Sequence, residues 1–150
     1  RAITMNGLTL RGVRRMLAIA LQGETPPVNF YVALVQASPA PTALTTVMSG
    51  LTQVANGNGY VTGGIQLDRD AVDFDVLTED TTGLSVYIQI RDVSWTASGG
   101  SIASASYAVL TNDHATIGSR EVWAYWAFGA PRTITVGRTL PLADLEIAVV

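Results

Sequence analysis

Three apolar runs between Leu84 and Phe128 constrain this chain more than any other feature. They are Leu84–Trp95 (LSVYIQIRDVSW), Ser101–Leu110 (SIASASYAVL) and Glu121–Phe128 (EVWAYWAF). In the first, Val86, Ile88 and Ile90 alternate with Tyr87, Gln89 and Arg91, the period of a strand with one buried face. Thr96–Gly100, a short loop ending in two glycines, suits a hairpin from the first run to the second. The third run puts Trp123 and Tyr125 on one face and Val122, Ala124, Trp126 and Phe128 on the other. Both faces are therefore apolar. A strand of that kind is expected to be covered twice, by a second sheet on one side and by a neighbouring subunit on the other.

The rest of the chain adds strands and one helix. Residues 1–7 read as an extended arm. Leu8–Gln22 is the helix candidate, with Leu10, Val13, Leu17 and Leu21 at helical spacing and Arg11, Arg14 and Arg15 mainly opposite. Thr9 can cap its start and Gly23 its end, and Pro26-Pro27 stops it. Gly12 weakens the helix by about 1 kcal/mol relative to alanine. The expectation is a leucine stripe packed on the sheet with arginines outward. Four of the nine arginines fall in the first fifteen residues, where there is no acid. They form either a solvated face or a docking surface for an acidic partner, since arginine binds carboxylates bidentately. The apolar stretch Val13–Leu21 is too short to span a bilayer, and no small-residue cleavage site follows it. It reads as part of the folded protein.

Val28–Gln36 is a strand, Ala37–Pro41 a proline-rich loop, and Thr42–Ala55 either irregular or short strands. The two Asn-Gly pairs of Asn56–Tyr60 signal a tight turn. Tyr60–Leu67 follows, with Gly63-Gly64 as a bulge or close strand crossing; its glycine spacing is not that of a dinucleotide-binding loop. Asp68–Asp80 carries six acids against Arg69. Val72, Phe74 and Val76 alternate there with Asp73 and Asp75, predicting a strand with a solvated, charged edge. Calcium is the alternative, but an EF-hand's glycine and closing glutamate are missing. Thr111–Arg120 is a polar loop containing His114. Thr133–Val136 and Leu145–Val149 are short strands around Gly137–Asp144. The expected fold is mainly β, an antiparallel sandwich, jelly roll or barrel with an N-terminal arm and one short helix. Residues 1–23 form the arm and helix, and 24–150 a single β domain.

Composition removes much chemistry. The chain has no cysteine and no lysine, and His114 is its one histidine. Disulfides, thiolate nucleophiles, Schiff bases and a P-loop lysine are excluded. At 150 residues the chain can bury roughly 70% of its unfolded surface without staples. The net charge of −3 argues against a general nucleic-acid binder. No catalytic, cofactor or metal residues are assigned, and the expectation is a non-enzyme. Trp95, Trp123, Trp126 and the tyrosines could serve a carbohydrate-binding module as stacking platforms, although core packing is commoner for aromatics in alternating strands.

One known group has this order of features. The V-x-F-Y-V-A-L-V strand, the N-G-x-G-Y turn at Asn56–Tyr60, the D-V-S-W-T-A-S-G-G segment at Asp92–Gly100 and the V-G-R turn leading to L-A-D-L-E-I follow the arginine-bearing helix. Over nearly its full length the chain resembles small β-rich structural proteins of tailed bacteriophages, capsid decoration (cement) proteins and related tail-fibre proteins. The resemblance implies a trimer on the outside of an icosahedral capsid, bridging major capsid subunits, after synthesis in the host cytoplasm. It implies no cofactor, nucleic acid or membrane. Candidate partner-binding residues are Arg1, Ile3, Arg11, Arg14, Arg15, Trp123 and Tyr125. The alternatives are a tail or tail-fibre component and, in another class, a carbohydrate-binding module for host attachment.

Overall fold

The computed structural model of the chain describes residues 3–4 and 7–149. The fold is a mainly β sandwich of antiparallel sheets with one α-helix, as expected. One sheet has five strands: β2 (Gly7–Leu8), β9 (Val122–Ile134), β8 (Ile102–Thr111), β3 (Asn29–Val35) and β4 (Ile65–Asp68), in that order. The other has four: β1 (Ile3–Thr4), β11 (Leu145–Val149), β6 (Ser85–Ile90) and β5 (Val76–Asp80). A two-stranded ladder, β7 (Val93–Thr96) with β10 (Thr139–Leu142), continues the β6–β11 pair beyond a break.

That break corrects the reading of Leu84–Trp95 as one strand. At Arg91 the backbone N–H and the guanidinium both turn to Asp73, and at Asp92 the carboxylate accepts from Asp144 N–H at 3.3 Å. On the facing strand the chain bends too, at Asp144, whose φ is +54°. Thr96–Gly100 makes no hairpin, because β7 pairs with β10, through Thr96 and Thr139, instead of with β8. The loop carries the chain from one sheet to the other. β10 itself lies in the stretch expected to be loop.

The core fills the space between the sheets. Phe30, Val32, Leu34, Ala108, Leu110, Ala124 and Trp126 of the larger sheet pack with Ile90, Val93, Trp95, Leu140, Leu142, Leu145 and Ile147. Trp126 is fully buried, and its indole N–H donates to the Glu146 carbonyl at 2.9 Å. A buried tryptophan needs such an acceptor.

A β-bulge overturns the predicted faces of β9. Val122 pairs with Thr111 and Ala124 with Leu110, leaving Trp123 as the extra residue. Trp123 consequently joins Ala124 and Trp126 in the core, whereas Val122 and Tyr125 pack on the opposite face with Ala33, Val35 and Val109. The chain covers this second face itself. Met48 and Leu51 lie against it, held where Met48 N–H donates to the Arg120 carbonyl and Val122 N–H to the Thr46 carbonyl. The two apolar faces of β9 are thus both used within one chain, and no neighbouring subunit is needed to bury them.

The turns behave as their residues require. Gly57 and Tyr60 exchange backbone hydrogen bonds of 2.7 and 2.9 Å, and this closed turn delivers Tyr60 to the core. At Gly64, with φ of +84°, a Cβ would lie 1.9 Å from the Val32 carbonyl, so only glycine permits the close crossing of β3 and the start of β4. The acidic stretch is less regular than its alternation suggested. Asp70 accepts from Val72 N–H and Asp73 N–H, folding residues 69–74 into a turn, and Phe74 meets Phe30 edge-on at 5.5 Å. Beyond Asp68, which ends β4, only Val76–Asp80 is strand, at the edge of its sheet.

Candidate docking surface

Helix α1 (Leu10–Gln22) has the predicted caps: Thr9 Oγ1 accepts from Gly12 N–H at 2.9 Å, and Gly23 ends the helix in the left-handed region. Its orientation is the reverse of the expectation. Gly12 and Ala18 are buried, with Met16 and Ile19 packed on the core. Leu10, Leu17 and Leu21 are 63%, 55% and 79% exposed, and Val13 is exposed beside them. Helical spacing defines a stripe but not which way it points. Two features on the other side decide. Gly12 has no side chain, and a Cβ there would lie 2.4 Å from the Trp123 carbonyl, so backbone meets backbone. Glu121, at the foot of β9, draws the arginines inward.

Arg11 Nη1 lies 2.8 Å from Glu121 Oε2 and Arg15 Nε 3.0 Å from Glu121 Oε1. Arg15 also contacts Glu24 closely, and Arg14 approaches Glu24 at 3.7 Å. Arg11 and Arg15 are therefore partnered within the chain, while the Arg14 side chain stays 64% exposed. Reading the first fifteen residues alone missed both acids. The signals were present: Glu24 follows the helix-ending glycine, and Glu121 opens the third apolar run.

What remains exposed is an apolar strip of Leu10, Val13, Leu17 and Leu21. Near its N-terminal end the Leu10 N–H donates to the Ala43 carbonyl at 2.8 Å, placing exposed Leu44 close by. Scattered exposed leucines are ordinary, but a contiguous strip along one helix face is the mark of an interaction surface.

The other predicted residues fall as follows. Arg1 lies outside the described residues. Ile3 pairs in parallel with Leu145, and Gly7 and Leu8 pair with Tyr125 and Ala124. So where the predicted extended arm is described, at residues 3–4 and 7, it forms short strands in the sheets of its own chain. Trp123 is only 5% exposed and meets Phe30 edge-on at 5.0 Å, so it offers no face to a partner. Tyr125 is half-buried on the outer face. Trp95, Trp123 and Trp126 are all buried, which leaves no indole as a sugar-stacking platform.

Among the described residues no group of acids and histidine converges as a metal site. Asp70 and Asp73 serve the local turn and Arg91, while His114 Nδ1 accepts from Thr116 N–H in an exposed loop. Among the described residues no helix is long and apolar enough to cross a membrane. The titration of Tyr60 is clearly displaced. Burial pushes its phenol up to about 12, against the opposing pull of the Leu34 backbone and Arg120. Its hydroxyl accepts from Leu34 N–H and donates to Gln53 Oε1, a structural role.

No family model, no curated protein and no solved structure matches the chain.

Proposed function

We propose that this chain is a non-catalytic structural protein that takes its place in an assembly by seating the apolar face of α1 against other protein subunits. One observation carries the reading: Leu10, Val13, Leu17 and Leu21 are exposed together while Arg11 and Arg15 are drawn away from them to Glu24 and Glu121. An apolar strip with two of its three arginines turned away and paired can be desolvated cheaply, as the centre of a protein interface requires.

The resemblance of the turns and strands to phage decoration proteins directs the choice of assembly to the outer face of an icosahedral capsid. There the protein self-associates, as a trimer in that family's manner, and bridges major capsid subunits. A tail or tail-fibre position is the second reading within the same class. Counting copies by quantitative mass spectrometry of purified particles separates them. Decoration predicts copies on the order of hundreds per particle, because the sites repeat with the shell's symmetry. A tail part predicts a small multiple of the tail's rotational symmetry. Absence from the particles overturns the capsid and tail readings together.

A further inference from the structure

The sandwich is open at one end. Between α1 and the two sheets lies an apolar cleft of about 510 Å³, walled by Met16 and Ile19 of the helix and by Leu77, Ile88 and Ile147 of the four-stranded sheet. The register shows how the opening arises. Side chains two positions apart on a strand share a face. On the inner face of this sheet Leu145 pairs with Ile90, then Ile147 with Ile88 and Leu77, then Val149 with Val86 and Glu79. Along β11 the exposure on that face climbs from 0% at Leu145 through 8% at Ile147 to 54% at Val149. Leu77 and Val86 are exposed beside them. The apolar inner face thus runs out from under its cover.

Charge marks both uncovered surfaces of the chain. Arg14 lines the same surface as Leu10, Val13, Leu17 and Leu21; its side chain is 64% exposed, and Glu24 approaches it only to 3.7 Å. Glu79 stands in the outermost rung of the sheet face, exposed, and its carboxylate has no partner among the described residues. Asp70, at the cleft's lining, adds to the negative charge there. Each chain therefore carries an aliphatic helix face with one open cation and an aliphatic sheet face with open acid. The two cannot meet within a chain, because α1 turns Met16 and Ile19 towards the cleft and the strip away from it. An apolar helix stripe laid on an apolar sheet face covers both.

We propose that the partner of the strip is a second copy of this chain: α1 of one copy closes the open end of the next, its leucines over Leu77, Val86 and Val149 and Arg14 on Glu79. This rests on the reading of the strip as a contact surface and names what covers it. A guanidinium and a carboxylate brought together at the edge of an apolar contact fix its orientation. Because strip and cleft are different patches, the contact is heterologous. Copies join head to tail and close into a ring when the turn per step divides the circle, about 120° for three.

Mixing two disabled variants tests it. Leu17→Glu spoils the strip and Leu77→Glu the sheet face, both at exposed positions, and melting curves should show each folded. Each alone is expected to sediment as monomer at micromolar concentration where the parent associates. Mixed in equal amounts, they should form a species of two chains and nothing larger, since one intact strip and one intact sheet face remain between them. Charge reversal gives a second measure. Arg14→Glu or Glu79→Arg alone should weaken association about tenfold, and the two reversals in one chain should restore it to within about threefold of the parent. A monomeric parent, a mixture that stays monomeric, or a double reversal as weak as either single one would each overturn the proposal. If Leu17→Glu is monomeric while Leu77→Glu associates like the parent, the strip is a contact surface but the cleft is not its seat, and this proposal falls while the proposed function stands.

Discussion

Arg11 on the helix donates to Glu121 at the foot of β9, 2.8 Å away and 110 positions along the chain. Glu121 takes Arg15 on its other oxygen and also accepts from Asn112 Nδ2 at 3.3 Å. Together with the close approach of Gly12 to Trp123, this carboxylate sets the rotation of α1 about its axis, with the leucines outward and Arg11 and Arg15 inward. The link runs from a charge pattern to a packing choice and from there to the surface available for function.

Replacing Glu121 with Gln tests that link. Arg11 is 37% exposed at its side chain, so solvent screens much of the attraction. The expected loss is about 1 kcal/mol in urea unfolding, since the network has more than one bond but is partly wet. The difference between parent and variant should shrink as salt rises. A loss that is the same at low and high salt would mean that shape, and not charge, orients the helix.

Gly12 makes the complementary test. In an isolated helix Gly→Ala stabilises by about 1 kcal/mol. Here the new Cβ would sit 2.4 Å from the Trp123 carbonyl and 2.7 Å from its Cα, with rigid backbone on both sides. Overpacking of this kind costs about 1–3 kcal/mol. Gly12→Ala is therefore expected to lower the denaturation midpoint; a rise would show that the helix lifts from β9 freely.

The strands were largely legible because alternation is local. β3 and β8 sit where their apolar runs predicted, and the caps of α1 fall on Thr9 and Gly23. β9 continues past its run to Ile134 and takes in the start of what was expected as a separate strand at Thr133–Val136. Three things were not legible, each for a non-local reason. The bulge at Trp123 shifts one register position and so sends Trp123 and Tyr125 to opposite faces. Pairing of β7 with β10 depends on residues more than forty positions apart, whereas the glycine loop after Thr96 argued for a local hairpin. The direction of the leucine stripe depends on Glu121 and on the missing side chain of Gly12. An apolar stripe is read as inward by default, and that default fails where a stripe serves a partner.

Tyr60 gives a pH prediction. Its phenol is 1% exposed and its titration is raised to about 12, chiefly by burial. In the unfolded chain the group ionises near 10, so above that pH the unfolded state sheds a proton that the folded state keeps. Stability from this group is complete below about 10 and is lost as pH rises towards 12. Tyr60→Phe should flatten the alkaline fall in melting temperature. At neutral pH it should destabilise, because Leu34 N–H loses its acceptor, at a cost of about 1–3 kcal/mol. Melting curves from pH 7 to the alkaline limit check both signs; an unchanged alkaline slope would assign the fall to other groups.

The last prediction concerns the outer face of α1. Leu17 lies near the middle of the strip, with Val13 before it and Leu21 after it, and is 55% exposed. Leu17→Glu should therefore leave the thermal stability of the isolated chain nearly unchanged, since exposed substitutions usually shift it by less than about 0.5 kcal/mol. It should nonetheless abolish association, because a buried, unpaired carboxylate at an interface centre is strongly unfavourable. Val72→Glu is the control: Val72 is also exposed, at 74% against 55% for Leu17, but lies in the turn after β4, outside the strip. Sedimentation equilibrium at micromolar concentration should show the parent and the Val72 variant associated and the Leu17 variant monomeric. If the parent is already monomeric there, the strip is not a contact between copies. A pull-down on undecorated capsids then decides whether it seats on the shell: retention of the Leu17 variant would place the contact elsewhere, and its loss with Val72→Glu still retained would fix the contact on α1.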